Sequence, residues 1–239
     1  QLNTGLFALL GLLVGSFLEV GVHRLPLMLE RQWRRYARDR LAATDTAQPP
    51  ESEATPEAKA DRFNLWTPAS RCPHCSHQIR WYENVPVISW LFLRGRCSQC
   101  SARISARYPV VEIANSLLWA YCIHRWGLGA TGLAWCFFAS VLLTAALIDW
   151  DTTLLPDDLT LPLLWAGLLC SAMGWIDVSL KDSLFGAAIG YLSLWLIYWA
   201  FKLLTGKEGM GYGDFKLLAA LGAWFGWQAL VPMILAASV

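Results

Sequence analysis

Six stretches of the chain are apolar almost without interruption, at 2–22, 110–123, 132–148, 159–176, 183–204 and 215–239. Most approach the roughly 20 residues that an α-helix needs to cross the hydrocarbon core of a bilayer. The stretch at 110–123 is short and must borrow flanking residues such as Tyr108 and Trp126. The first is too long, and its interior too rich in glycine, for a cleaved signal peptide, and no small-residue cleavage site follows it, so it reads as a retained span. Gly11 and Gly15, four residues apart, permit close helix packing there. The pattern predicts an α-helical polytopic membrane protein with at least six transmembrane helices.

Composition excludes an ordinary soluble domain. Hydrophobic residues make up 56% of the chain and charged residues 15%, with 14 Trp and a mean hydropathy of +0.39, too apolar for that class. The charge is unevenly placed: 14 of the 19 Lys and Arg residues, against eight Asp and Glu, fall between Arg24 and Arg107. The positive-inside rule makes this segment cytoplasmic. Alternate threading then places Arg125 and 177–182 outside, and Asp149 and 202–214 inside. The chain thus divides into a first transmembrane helix at 1–28, a cytoplasmic loop at 29–109 and a membrane core at 110–239. Within the loop, 29–40 continues the first helix, where Arg31, Arg34, Arg35 and Arg38 meet anionic membrane lipid. Residues 41–60, with Pro49, Pro50 and Pro56, read as a linker, and a compact module follows at 71–104. Nothing in the chain points to nucleic acid.

That module carries Cys72-Pro73-His74-Cys75 and Cys97-Ser98-Gln99-Cys100, with 21 residues between the pairs. Two such pairs suit tetrahedral zinc, since each can bite one face of the ion from a tight turn. A disulfide framework does not suit a cytoplasmic loop, and four thiolates leave no open position for a catalytic metal. Cys72, Cys75, Cys97 and Cys100 are therefore the expected ligands of a structural zinc, with His74 and His77 as bystanders. Cys122, Cys136 and Cys170, within apolar stretches, are expected to be packing residues.

Two acids stand at the edges of apolar stretches. Asp214 ends Gly211-Tyr212-Gly213-Asp214, and Asp149 lies 65 positions earlier. A carboxylate against hydrocarbon costs about 2.5 to 3.5 kcal/mol on insertion scales, so such residues face a wet cavity, find a partner or do chemistry. The bland reading is that Asp214 caps the helix beginning at Phe215. Asp151, Asp157 and Asp158 share the membrane-edge turn with Asp149 and serve equally well as turn and capping residues. Gly211 and Gly213, without side chains, let an extended backbone approach Asp214. Glu112, just inside the second stretch, either serves the acids and a substrate amine or pairs structurally with Arg107 or Lys216. Lys216 favours an ionised Asp214, although two positions along a helix points the two to different faces.

Taken in order, Gly15-Ser16-Phe17-Leu18-Glu19-Val20 with His23-Arg24-Leu25-Pro26, the cysteine pairs, Arg107-Tyr108-Pro109-Val110-Val111-Glu112, Ile148-Asp149 with Leu155-Pro156-Asp157, and Glu208-Gly209-Met210-Gly211-Tyr212-Gly213-Asp214-Phe215-Lys216 resemble the type IV prepilin peptidases. The resemblance covers nearly the whole chain. It implies a bacterial inner-membrane aspartyl protease of the Gly-x-Gly-Asp kind, with Asp149 and Asp214 as its catalytic pair. Its substrates would be prepilin or pseudopilin precursors, serving a type IV pilus or type II secretion, cut after glycine on the cytoplasmic side. It also implies N-methylation of the new N-terminus from S-adenosylmethionine, an activity for which the chain shows no glycine-rich strand-to-helix fingerprint. Gly95 and Arg96, beside the second cysteine pair, either contact the methyl donor or serve the turn alone. The chain departs from the family at Glu19, where the family has Asn. It also ends within an apolar run, where the family has further apolar segments, so the core at 110–239 is expected to be incomplete at its C-terminus.

Two other classes are distinguishable from this one. A proton-coupled transporter would carry its acids near mid-span rather than at one edge. Another Gly-x-Gly-Asp intramembrane protease would lack the paired cysteines.

Overall fold

The structure is a computed structural model that describes residues 2–44, 63–207 and 209–237. Eight α-helices account for most of them: α1 (Leu2–Thr44), α2 (Ile88–Phe92), α3 (Arg107–Trp126), α4 (Ala130–Thr152), α5 (Asp157–Ala172), α6 (Leu180–Thr205), α7 (Tyr212–Phe225) and α8 (Leu230–Ala237). Among the described residues there is no strand, only two isolated bridges, Arg71 to Gln78 and Arg96 to Arg103. The protein is α-helical, with the cysteine module between its first and second long helices.

Three helices are long and apolar enough to cross a membrane by length and composition: α1 over Thr4–Leu41, α4 and α6. Helices α3, α5, α7 and α8 fall on the other apolar stretches but are each shorter or more polar. The stretch at 215–239, expected as one span, is broken. Gly226 adopts a φ of 80°, and the Trp227–Ala229 turn separates α7 from α8; a left-handed residue ends a helix most readily when it is glycine. Helix α1 has 43 residues, about 65 Å at 1.5 Å per residue, or roughly twice a hydrocarbon core. It runs to Thr44, past the expected start of the linker at 41. Residues 45–60 of that linker, and Glu208, lie outside the described residues.

The helices meet along two different kinds of seam. Between α1 and α3, a Cβ on Gly11 would lie 2.9 Å from Ser116 Cα and one on Gly15 2.8 Å from Glu112 Cα. Across this close seam α3 side chains reach α1 carbonyls: Asn115 Nδ2 donates to Gly11 O at 2.7 Å and Ser116 Oγ to Ala8 O at 2.8 Å. Ser140 of α4 joins by donating to Asn115 Oδ1 at 2.9 Å and accepting from Trp119 at 2.8 Å. Between α6 and α7, Gly186 and Gly222 lie backbone to backbone with no room for a Cβ on either. Beside them Ser183 donates to Ala223 O at 2.6 Å. The fully buried Trp224 then inserts between α7 and α5, donating to Leu163 O at 2.8 Å, with Gly167 clearing space for its ring. Phe138, Leu163, Cys170, Ile176 and Ala220 complete this core. Cys122 and Cys136 are buried in a second cluster with Ile123.

The cysteine module is fastened to α1 and α3. Arg24 donates to Asn64 O at 2.9 Å and Pro68 O at 2.7 Å, Arg31 lies 3.9 Å over the Phe63 ring, and the Val87 amide donates to Glu112 Oε2 at 2.7 Å.

Candidate active site and metal centre

The two cysteine segments fold into the same turn. Cys72 N–H donates to His77 O and receives Ser76 N–H on its own carbonyl; Cys97 N–H donates to Ala102 O and receives Ser101 N–H. Ser76 and Ser101 both take positive φ, 58° and 56°, and each turn is closed by one of the isolated bridges. Face to face, they bring all four sulfurs within 4.8 Å of one another. Cys72 and Cys100 are 3.8 Å apart, and Cys75 and Cys97 3.9 Å. A disulfide needs about 2.05 Å, whereas four sulfurs placed tetrahedrally at about 2.3 Å from an ion stand about 3.8 Å apart.

Protonation agrees with this fit. The Cys75 and His74 amides hold the Cys72 thiol down at about 7. The His77 amide works to lower Cys75, but desolvation and the other thiols outweigh it and push that thiol up to about 12. Four adjacent sulfurs cannot all shed their protons unless a cation compensates them, and the cluster has the spacing to hold a metal ion. His77 is not a ligand but supports the site from outside, its Nε2 3.2 Å from Glu83 Oε2. The Arg80 amide, then the Ser98 hydroxyl, hold Glu83 down to about 2. Gly95 has a φ of 64°, and a Cβ there would meet the Trp90 ring at 2.9 Å. Its amide donates to Trp90 O at 2.8 Å, so the turn after α2 by itself accounts for a glycine.

The acids lie at one end of the bundle. Asp149 is exposed in the last turn of α4, which ends where Thr153 turns left-handed at φ 53°. Asp214 is half-buried, third in α7, and does not cap the helix; Gly211 occupies the cap position. The chain leaves α4, turns at 153–156 and starts α5. There Leu155 packs on α7 so closely that a Cβ on Gly213 would meet its Cβ at 2.7 Å. This contact sets the N-terminus of α7 beside the turn that follows α4. The space beside Gly213 is thus filled by Leu155, while a Cβ on Gly211 would touch only Asp214 Oδ2, at 3.7 Å. Tyr198, Tyr212 and Phe215 pack ring to ring and hold the start of α7 on α6.

The neighbouring charged residues are committed elsewhere. Asp151 accepts from Arg107 Nη1 at 2.7 Å, and Asp157 takes Lys216 Nζ at 2.6 Å. Lys216 therefore pairs with neither Glu112 nor Asp214. Among the described residues no ion pair occupies Asp149 or Asp214. Sequence reasoning alone does not separate Asp149 from Asp151; the fold does, by giving only Asp151 an arginine. Arg107 is the residue that reasoning missed, since it also reaches Glu19 Oε1 at 3.7 Å and so links α1, α3 and α4. Its place at the first turn of α3, opposite the acids at the end of α4, was the available signal. A cavity of about 660 Å³ opens between α1, α3 and the cysteine module, lined by Glu19 and Glu112 but by neither Gly95 nor Arg96.

Comparison with known proteins follows this division. Residues 9–126 match the bacterial peptidase A24 N-terminal domain, and 136–239 match the type IV leader peptidase family. A prepilin leader peptidase/N-methyltransferase of Stutzerimonas stutzeri is 55% identical over 96% of this chain and 75% of its own length. Proteins of the same description from Aeromonas salmonicida and Pseudomonas aeruginosa are each 52% identical, over 97% of this chain and 76% of their own. No solved structure matches the chain. With both halves matched in order and relatives this similar along almost its whole length, the chain belongs to the type IV leader peptidase family.

Proposed function

We propose that this protein cleaves the leader peptide from type IV prepilin or pseudopilin precursors at the cytoplasmic face of the bacterial inner membrane, and N-methylates the new N-terminus. The description shared by its relatives supports both activities, and the concentration of basic residues in the loop supports the cytoplasmic side. Asp149 and Asp214 are the catalytic pair. The observation that carries this assignment is the seating of Gly213 on Leu155, which sets the start of α7 beside the turn that follows α4, while Asp151 and Asp157 are occupied by Arg107 and Lys216.

Two such carboxylates work with one proton between them. The ionised one takes a proton from water as its oxygen attacks the scissile carbonyl carbon, and the protonated one gives its proton to the carbonyl oxygen. Collapse of the tetrahedral species breaks the C–N bond, with a proton passing to the leaving nitrogen. The products are the leader's new carboxyl group and the pilin's new amine. The dyad acts as a unit, so neither role belongs to one residue. Gly211 leaves the approach to Asp214 open, and Lys216 supports the start of α7 through Asp157.

Zinc is the ion we assign to the tetrathiolate, as a structural centre with no open position. S-adenosylmethionine supplies the methyl group. Arg31, Arg34, Arg35 and Arg38 are exposed on the projecting part of α1 and face anionic lipid headgroups.

The test is to supply a prepilin to the purified protein and read the product N-terminus by mass spectrometry. Asp149→Asn and Asp214→Asn should each lower the cleavage rate by about 10²- to 10⁴-fold, since an amide cannot relay the proton, with helix content and bound metal unchanged. Near-normal processing by either variant rejects the pair.

A further inference from the structure

The cavity between α1, α3 and the cysteine module holds two buried acids that neither peptide cleavage nor the metal centre uses. Its volume, about 660 Å³, lies within the range of small-molecule sites. Phe63, Trp90 and Tyr108 contribute aromatic wall, and Glu19 and Glu112 face the same space. Glu19 is 7% exposed and Glu112 6%. Glu112 is held by two neutral groups, the Val87 amide at 2.7 Å and the Ser16 hydroxyl. Neutral donors fix a carboxylate in place and leave its charge unbalanced.

Glu19 is less satisfied still. Its Oε1 is buried and receives no hydrogen bond. Arg107 Nε stands 3.7 Å away, beyond hydrogen-bond length; of that guanidinium Nη1 is engaged by Asp151 while Nε and Nη2 make no hydrogen bond, so Glu19 has an ionic neighbour but no donor. Arg24 lines the cavity as well, but its guanidinium is turned to backbone carbonyls of Asn64 and Pro68. Arg71 and Arg103 are exposed lining residues, where they would suit a ligand's carboxylate. An aromatic wall, with Glu112 held by neutral donors alone and Glu19 short of a hydrogen bond, selects a small organic cation.

We infer that this cavity binds the methyl donor, S-adenosylmethionine, with its positively charged sulfonium and amino groups against Glu112 and Glu19. The inference rests on the methyltransferase reading above and moves the donor away from Gly95 and Arg96. The position suits a reaction that follows cleavage. Arg107 bridges from Glu19 to Asp151, two residues beyond Asp149, and Val22 and Leu25 of α1 pack on Ile148. Helix α1 thus lines the cavity and also touches the end of α4 that carries Asp149.

The test is calorimetric titration of the full chain with S-adenosylmethionine and, separately, with S-adenosylhomocysteine, its neutral thioether counterpart. Glu112→Gln and Glu19→Gln should each weaken the sulfonium ligand by about tenfold or more and the thioether by less than about threefold, because only the charged partner is lost. Ala69→Trp, which narrows the cavity from an exposed lining position, should weaken both ligands alike. Retained metal content serves as the folding control. Equal losses for the two ligands in the Gln variants, or unchanged donor binding in either Glu19→Gln or Ala69→Trp, overturn the inference even if Glu112→Gln fails to fold. Tighter competition by a mature pilin N-terminal peptide than by the donor also overturns it, since the cation would then be the pilin's ammonium. A wild-type chain that binds neither ligand and leaves a mature pilin unmethylated rejects the methyltransferase reading itself.

Discussion

The four sulfurs of the cysteine cluster come from two segments of four residues, each shaped by its own turn, whereas Asp149 and Asp214 sit on separate helices, 65 positions apart in sequence. In the first case every hydrogen bond that sets the geometry lies within six residues of a cysteine. In the second, the determinants are contacts between glycines and distant residues: Gly213 on Leu155, Gly222 on the Gly186 backbone, Gly167 on the Trp224 ring. A locally encoded site tolerates rearrangement elsewhere in the molecule. A site assembled by helix seams inherits the sensitivity of every seam behind it.

Three substitutions test this contrast. Gly222→Leu has the largest expected effect, because a side chain there meets the Gly186 backbone, which has no room to yield. Overpacking costs about 1–3 kcal/mol, and a shifted α7 should lower cleavage by about tenfold to a hundredfold, as catalytic groups tolerate displacements of only about 1 Å. Bound metal, measured per chain by atomic absorption, should not change; its loss together with cleavage would erase the distinction. Cys97→Ser is the converse. The metal should be lost, while cleavage falls less than about fivefold, since no ligand touches the scissile bond. The smallest effect belongs to Lys216→Met. Its 2.6 Å pair with Asp157 is partly exposed, 26% and 54% for the two side chains, and such pairs contribute about 0.2–1 kcal/mol. A shift in cleavage rate of more than about tenfold would mean that Lys216 acts on the dyad directly.

The same contrast explains what could be read from the chain. Cys-x-x-Cys encodes a turn and a ligand pair in one local string, so Cys72, Cys75, Cys97 and Cys100 stood out at once. Apolar runs mark helices, and the described ones became helices, but a run does not disclose a break. The end of α7 at Gly226 depends on the backbone of that glycine. Side-chain partners across seams were out of reach. Lys216 finds Asp157 59 positions away, and Glu112 accepts from Val87, 25 positions away, rather than from the arginine or lysine that sequence proximity and charge suggested. Asp149 and Asp151 differ only in which side of α4 they leave from. Hydropathy carries no trace of that until the helix is packed.

The grip of Arg24 on the backbone has an evolutionary corollary. Its acceptors Asn64, Leu65 and Pro68 stand 40, 41 and 44 positions further along the chain, so the guanidinium pins the entrance of the module to the helix it departed from. Where the module docks is thus decided by one side chain of α1 and three backbone carbonyls. Arg24 is the position through which selection would hold the two parts in register.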